Sequence, residues 1–251
     1  MKFLHNFRKD ADSKSAIGQG AGQFIMPKGL KWTVEDLYKL ESQGEYSEAL
    51  KCWKVLLTPF QDPQIASQIA NLDSHRYIWL HIGMCYRRLE IYDESLVAYS
   101  KAADLARQAD DKRFIAEVSN NISVVYRNQG KADAALNLLN EGLKAAETAK
   151  DITLAVTVRD NIAMCYRDQG LLEKALTEEK KACAILESHP SQVVSSVQSR
   201  VLSNLGTMYY SLGQLSEAIP ILERALEKAR EAGDRMQEAA IQDNLNACKK
   251  K

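Results

Sequence analysis

The chain has 251 residues, with 33 Lys and Arg against 33 Asp and Glu, a hydrophobic content of 45% and a charged content of 26%. A formally neutral chain argues against a nucleic-acid partner, because domains that bind nucleic acid carry a basic excess. No apolar run approaches the roughly 20 residues of a membrane-spanning helix, and five cysteines without a CxxC read as reduced thiols in a cytoplasmic compartment.

Residues 1–31 carry Lys2, Arg8, Lys9, Lys14, Lys28 and Lys31 against Asp10 and Asp12, followed by Gly18, Gly20 and Gly22, with no apolar periodicity. This predicts a flexible, mildly basic N-terminal arm, either a plain tail or a targeting or docking segment. The segment Met1-Lys-Phe-Leu-His-Asn-Phe turns polar too soon for a secretory signal. From Trp32 onward the pattern is helical and repeats. A first, degenerate unit near 32–57 is marked by Gly44-Glu-Tyr-Ser-Glu-Ala49, and the stretch Thr58 to His75, with Pro59 and Pro63, reads as an insertion. Leu80-His-Ile-Gly-Met-Cys-Tyr-Arg-Arg-Leu-Glu90, Asn120-Asn-Ile-Ser-Val-Val-Tyr-Arg-Asn-Gln-Gly130 and Asp160-Asn-Ile-Ala-Met-Cys-Tyr-Arg-Asp-Gln-Gly170 share one frame at 40-residue spacing. Ser203-Asn-Leu-Gly-Thr-Met-Tyr-Tyr-Ser-Leu-Gly213 follows 43 residues later, which sets units near 76–112, 113–151, 152–190 and 192–234. Asp243-Asn-Leu-Asn-Ala-Cys248 repeats the register of Asp160-Asn-Ile-Ala-Met-Cys165, and so predicts a capping helix over 235–251.

Within each unit, apolar positions recur at helical spacing on both sides of the break, the pattern of two antiparallel helices joined by a short turn. In the fourth unit Ile162, Ala163 and Tyr166 form the packing stripe of the first helix, and Leu172, Ala175 and Ala182 open the second. The predicted fold is all-α, an α-α superhelix of about five helix pairs plus the C-terminal capping helix, in a repeat domain spanning 32–251.

Trp79-x-x-Ile82-Gly83-x-x-Tyr86 followed by Ser95-x-x-x-Tyr99, and Leu205-Gly206-x-x-Tyr209 followed by Ala218-x-x-x-Leu222, resemble the tetratricopeptide repeat signature. The units exceed the common length of about 34 residues, which makes them similar to the longer repeats of kinesin light chains, leucine-glycine-asparagine-type scaffolds and bacterial peptide-sensing regulators. Ser119 and Arg159 stand where tryptophan is usual, and Glu179 where a large apolar residue is.

The face opposite the packing stripe lines a concave groove in such an array. Its centre is expected to hold Met84, Val124, Met164 and Thr207, with Asn121, Asn161, Asn204 and Asn244 on one side and Arg87, Arg127 and Arg167 on the other. An amide carries two donors and an acceptor, so a row of asparagines suits the backbone of an extended peptide; similar repeat proteins use asparagines in this way. The alternative is that each asparagine bonds the neighbouring repeat. The arginines suit carboxylates of an acidic peptide or a chain terminus, unless Glu117, Asp160 and Asp168 pair with them. Met84 and Met164 give a soft floor, and His81, in place of a row asparagine, is a groove contact or inert.

Cys85, Cys165 and Cys248 share one repeat position suited to a small apolar residue, with Cys52 and Cys183 in second helices; thiols one repeat apart are too distant to share a metal. Phosphate-loop, nucleophile-elbow and zinc-protease motifs are missing from the sequence. The resulting expectation is a non-enzymatic adaptor or scaffold that binds a peptide or helical segment of another protein without cofactor or metal. The alternatives are a peptide-responsive regulator or a structural assembly subunit.

Overall fold

A computed structural model describes residues 33–58 and 72–250. The arm expected over 1–31 and most of the insertion with Pro59 and Pro63 lie outside the described residues. Among these residues the chain forms α1 (Val34–Ser42), α2 (Tyr46–Leu57), α3 (Leu72–Arg88), α4 (Tyr92–Gln108), α5 (Lys112–Asn128), α6 (Ala132–Thr148), α7 (Ile152–Asp168), α8 (Leu172–Ser188), α9 (Ser195–Ser211), α10 (Leu215–Ala232) and α11 (Arg235–Lys249). A short 3-10 turn at Pro190–Gln192 joins α8 to α9. The chain divides into two compact units, Met1–Asn121 and Ile122–Lys251.

The turns follow from local chemistry. Inside each pair the first helix ends at a left-handed residue: Gly130, Gly170 and Gly213 at φ 73°, 76° and 74°, and Glu90 at 61° where the sister units have glycine. The next amide then donates back to the tyrosine carbonyl of the repeat, Ile91 to Tyr86, Lys131 to Tyr126, Leu171 to Tyr166 and Gln214 to Tyr209, at 2.8–2.9 Å. This closes the helix end by satisfying a carbonyl that would otherwise lack a donor. Between pairs, a left-handed residue at Asp110, Lys150 or Gly233 precedes an aspartate. The carboxylates of Asp111, Asp151 and Asp234 accept from the amides of Phe114, Leu154 and Gln237 at 2.9, 3.0 and 2.9 Å, so each caps the helix that follows.

Helices adjacent in the chain pack together within each unit. In the first unit the core is built around Trp53, Leu37 and Ile82, all buried. In the second it is built around Val156, Val201, Leu222, Ile241 and Leu245. The helix α11 lays Ile241, Leu245 and Cys248 against this core and leaves Met236, Asp243 and Asn246 exposed.

Close approach inside a pair depends on one small residue in its first helix. A Cβ on Gly83 would lie 2.5 Å from the buried Tyr99 ring, and one on Gly206 would lie 2.6 Å from Leu222 Cγ. We therefore expect Gly83→Ala to lower the melting temperature. An overpacking cost of about 1–3 kcal/mol outweighs the roughly 1 kcal/mol that alanine gains over glycine in a helix. Adding Tyr99→Leu should restore part of the loss in thermal denaturation, and an unchanged melting curve for Gly83→Ala would contradict the packing.

Candidate functional site

In the first unit, α3 and the start of α5 carry the expected groove positions. Met84 and Arg87 are half-buried. Arg87 faces the Tyr99 hydroxyl, whose pKa burial raises and the guanidinium pulls back down. Asn121 donates from Nδ2 to the Glu117 carbonyl at 3.0 Å, a bond within its own helix. His81 is neither an open groove contact nor inert. It stacks on Trp53 with ring centroids 4.5 Å apart, and its Nδ1 lies 3.0 Å from the Glu41 carboxylate. Trp53 Nε1 donates to the same carboxylate at 2.8 Å, so Glu41 ties α1 to α2 and α3.

In the second unit, the end of α5 together with α7, α9 and α11 carries the remaining positions. Asn161 is buried and engaged. Asn204 donates from Nδ2 to Asp160 Oδ1 at 2.7 Å, and Asn244 reaches Thr207 Oγ1 at 3.4 Å. The amides of α9 and α11 thus bond the preceding repeat. Met164 is a correction to the expected floor: it is only 4% exposed, because it packs with Met208 of α9 and with Ala163 and Ala175 of its own hairpin. Tyr166 is half-buried at the edge of that cluster, less enclosed than the stripe assignment implies.

Two carboxylates organise the arginines. Asp160 has 0% exposure and takes the Arg200 guanidinium on one oxygen and Asn204 on the other. Burial and the nearby Arg127 lower the Arg200 pKa to about 10. At that value Arg200 stays charged at neutral pH, and its side chain, only partly covered, keeps 36% exposure. Asp168, with 39% side-chain exposure, bridges Arg127 at 3.3 Å and Arg167 at 3.6 Å. Arg167 has the most open side chain of the three guanidiniums, at 40%. Away from this face, Arg159 joins α6 and α8 through Glu147 at 2.7 Å and Glu178 at 3.0 Å, so an ion-pair bridge stands where tryptophan is usual.

Reading the sequence alone misses Arg200 and the burial of Asp160. The available signal is an acid beside the row asparagine, at a position held by Leu80 and Asn120 in sister units, with an arginine one repeat further on. All five cysteines are buried thiols. Burial pushes Cys165 up to about 11 and Cys183 up to about 12, which keeps both protonated. No group of three or more His, Cys, Asp or Glu arranged to hold a metal occurs among the described residues.

Sequence profiles of the tetratricopeptide repeat match residues 75–148 and 200–232. With the helix hairpins and the repeat register, these matches identify the repeats of the chain as tetratricopeptide repeats. No curated protein matches the sequence significantly. Among solved structures, a Rap protein complexed with competence and sporulation factor is 16% identical with a TM-score of 0.70, over 85% of this chain and 60% of its own. The Rap conjugation regulator of plasmid pLS20, in complex with the Phr* peptide, is 18% identical with a TM-score of 0.70, over 88% of this chain and 62% of its own. PlcR of Bacillus thuringiensis, in complex with the peptide PapR7 and DNA, is 19% identical with a TM-score of 0.64, over 84% of this chain and 71% of its own. These likenesses establish a shared fold, and the chain spans less than two thirds of the length of either Rap protein. No helix among the described residues is long and apolar enough to cross a membrane.

The Asp160–Arg200 pair predicts an asymmetry. Arg200→Ala strands a carboxylate that cannot reach water and should cost about 3 kcal/mol or more. Asp160→Ala releases a guanidinium that already touches solvent and should cost about 1–2 kcal/mol. Urea denaturation of the two variants checks the order, and the reverse order would contradict the assigned burial.

Proposed function

We propose that the protein is a non-catalytic adaptor, and that the helix face formed by α5, α7, α9 and α11 within Ile122–Lys251 binds a peptide segment of another protein through a carboxylate. The observation that carries this reading is the difference between the two ion-pair clusters. Asp160 is fully buried, so Arg200 and Asn204 are committed to it, and removing them would leave an uncompensated charge. Asp168 is exposed and holds Arg127 and Arg167 only at 3.3 and 3.6 Å. An exposed pair such as Arg167–Asp168 contributes about 0–1 kcal/mol, so an incoming carboxylate displaces Asp168 from Arg167 at small cost. Arg167 then presents paired donors to an acidic side chain or a peptide C terminus, with the Arg127 charge beside it. The Asn244–Thr207 contact at 3.4 Å is long enough to exchange as well, which frees an amide for peptide backbone.

A second reading, a peptide-responsive regulator, is favoured by the likeness in fold to a Rap conjugation regulator solved with the Phr* peptide and to PlcR solved with the peptide PapR7. Both readings place a peptide on this face. They differ in whether binding changes what the protein does to a further partner.

The test is fluorescence anisotropy against a library of labelled peptides, in which each acidic sequence is paired with its Asn/Gln counterpart and each free C terminus with its amide. Selected acidic or free-terminus peptides should lose about tenfold or more in affinity with Arg167→Ala and again with Arg127→Ala, since a hydrogen bond to a charged group contributes about 1.5–3 kcal/mol. Asp168→Asn should strengthen binding by removing the competitor. Equal binding of charged and neutral members, or no binding by any member, would overturn the proposal.

A further inference from the structure

Tyr99, Leu139 and Leu222 occupy one register position in successive second helices, and all are fully buried. Glu179 holds that position in α8 with 0% exposure, and neither of its carboxylate oxygens has a hydrogen-bond partner. An ionised carboxylate in such a place lacks both water and donors, so the buried group is held as the neutral acid. Burial pushes its pKa well up, against a downward pull from Arg167.

The register explains why Arg167 is the opposing charge. An arginine near the end of the first helix acts on the residue twelve positions on: Arg87 on the Tyr99 hydroxyl, and Arg167 on the Glu179 carboxyl. At Arg127 the residue twelve on is Leu139, and that guanidinium goes to Asp168. Arg167 is therefore shared between two acids, Asp168 at the surface at 3.6 Å and Glu179 inside. On α8 itself the neighbour Glu179 acts on is Cys183, a protonated thiol. From α9, the other helix against α8, Arg200 is committed to Asp160, and the Tyr209 ring carries Lys180 at 5.3 Å.

We propose that Glu179 and Arg167 form a proton-linked switch in the α7–α8 hairpin. With Glu179 protonated, Arg167 stays at the surface beside Asp168; when Glu179 gives its proton to water, Arg167 turns inward to pair with the carboxylate and leaves the ligand-binding face. The consequence for ligand binding rests on the function proposed above, whereas the exchange of Arg167 between its two acids does not. The sign for stability is definite. A carboxyl whose folded pKa is raised stabilises the fold at low pH, and that contribution is lost as pH rises through the folded pKa. Replacing Glu179 with the leucine of the sister units should remove this loss.

The switch is tested on the full chain by NMR, following glutamate side-chain carboxyl carbons and arginine Nε from weakly acidic to weakly alkaline pH. Glu179 and Arg167 Nε should move with one shared midpoint, above the ordinary glutamate range, and Glu179→Gln should abolish the Arg167 transition while leaving Arg127 unchanged. An Arg167 resonance that ignores Glu179, or a Glu179 midpoint in the ordinary range, overturns the switch. Glu179→Leu serves as a well-packed control, and its stability should fall less than that of the wild type as pH rises from the ordinary glutamate range through the Glu179 midpoint. In the peptide assay, wild-type affinity should drop about tenfold across the midpoint, the loss expected for Arg167→Ala, and Glu179→Leu should not show the drop. If the NMR transitions coincide but no peptide binds, the binding reading fails and the switch stands. If peptides bind and Arg167 does not respond to Glu179, the switch alone fails.

Discussion

Each helix pair depends on how closely its two helices approach, and one opposed couple of side chains sets that distance. A residue with little or no side chain in the first helix admits a large one from the second: Gly83 receives the Tyr99 ring, and Gly206 receives Leu222. Dense packing at that point is what a repeat with small hydrophobic faces requires, because a single hairpin buries too little apolar surface to stand alone. In α3, α5 and α7 the same register then places an arginine at the edge of the couple, where α9 has Tyr210, and the chemistry of the large residue decides what the arginine does. A phenol leaves Arg87 beside a hydroxyl, leucine at 139 leaves Arg127 to an acid of the next unit, and Glu179 gives Arg167 a second acid.

Exposure, rather than the presence of opposite charges, separates fixed contacts from exchangeable ones in the second unit. Asp160 and Asp168 both hold arginines, yet one is fully buried and the other is open to solvent. A buried pair is expensive to break from either side, though less so from the side that reaches water. A solvent-exposed pair exchanges readily. A face built from both kinds has a buried frame, Asp160 with Arg200 and Asn204, beside a more exposed edge, Asp168 with Arg167. In the first unit Glu41 plays the framing role with Trp53 and His81.

The repeats, the all-helical class and the turn positions are legible in the sequence, because they rest on interactions within a few residues of one another. Gly130, Gly170 and Gly213 mark left-handed helix ends, and Asp111, Asp151 and Asp234 cap the helices that follow. Glu179 also stands out in the sequence as an acid at an apolar register position. The groove residues are only partly legible: their place on the helix is periodic, but their freedom is not. Met164 and Asn161 share a register with half-buried Met84 and Asn121, yet both are buried.

The reason is that a side chain on a repeat helix is covered by residues about 40 positions away in the chain, on the next helix of the array. Periodicity determines which way Asn204, Arg167 or Asp160 points, since that depends only on the turn of its own helix. Whether the group meets water, an acid or a methionine depends on the local size and charge of the neighbouring repeat, as Met208 does for Met164 and Arg200 for Asp160. The sequence alone thus determined the repeat, its helices and their turns; only the tertiary structure decided which polar groups are buried against a partner and which reach solvent.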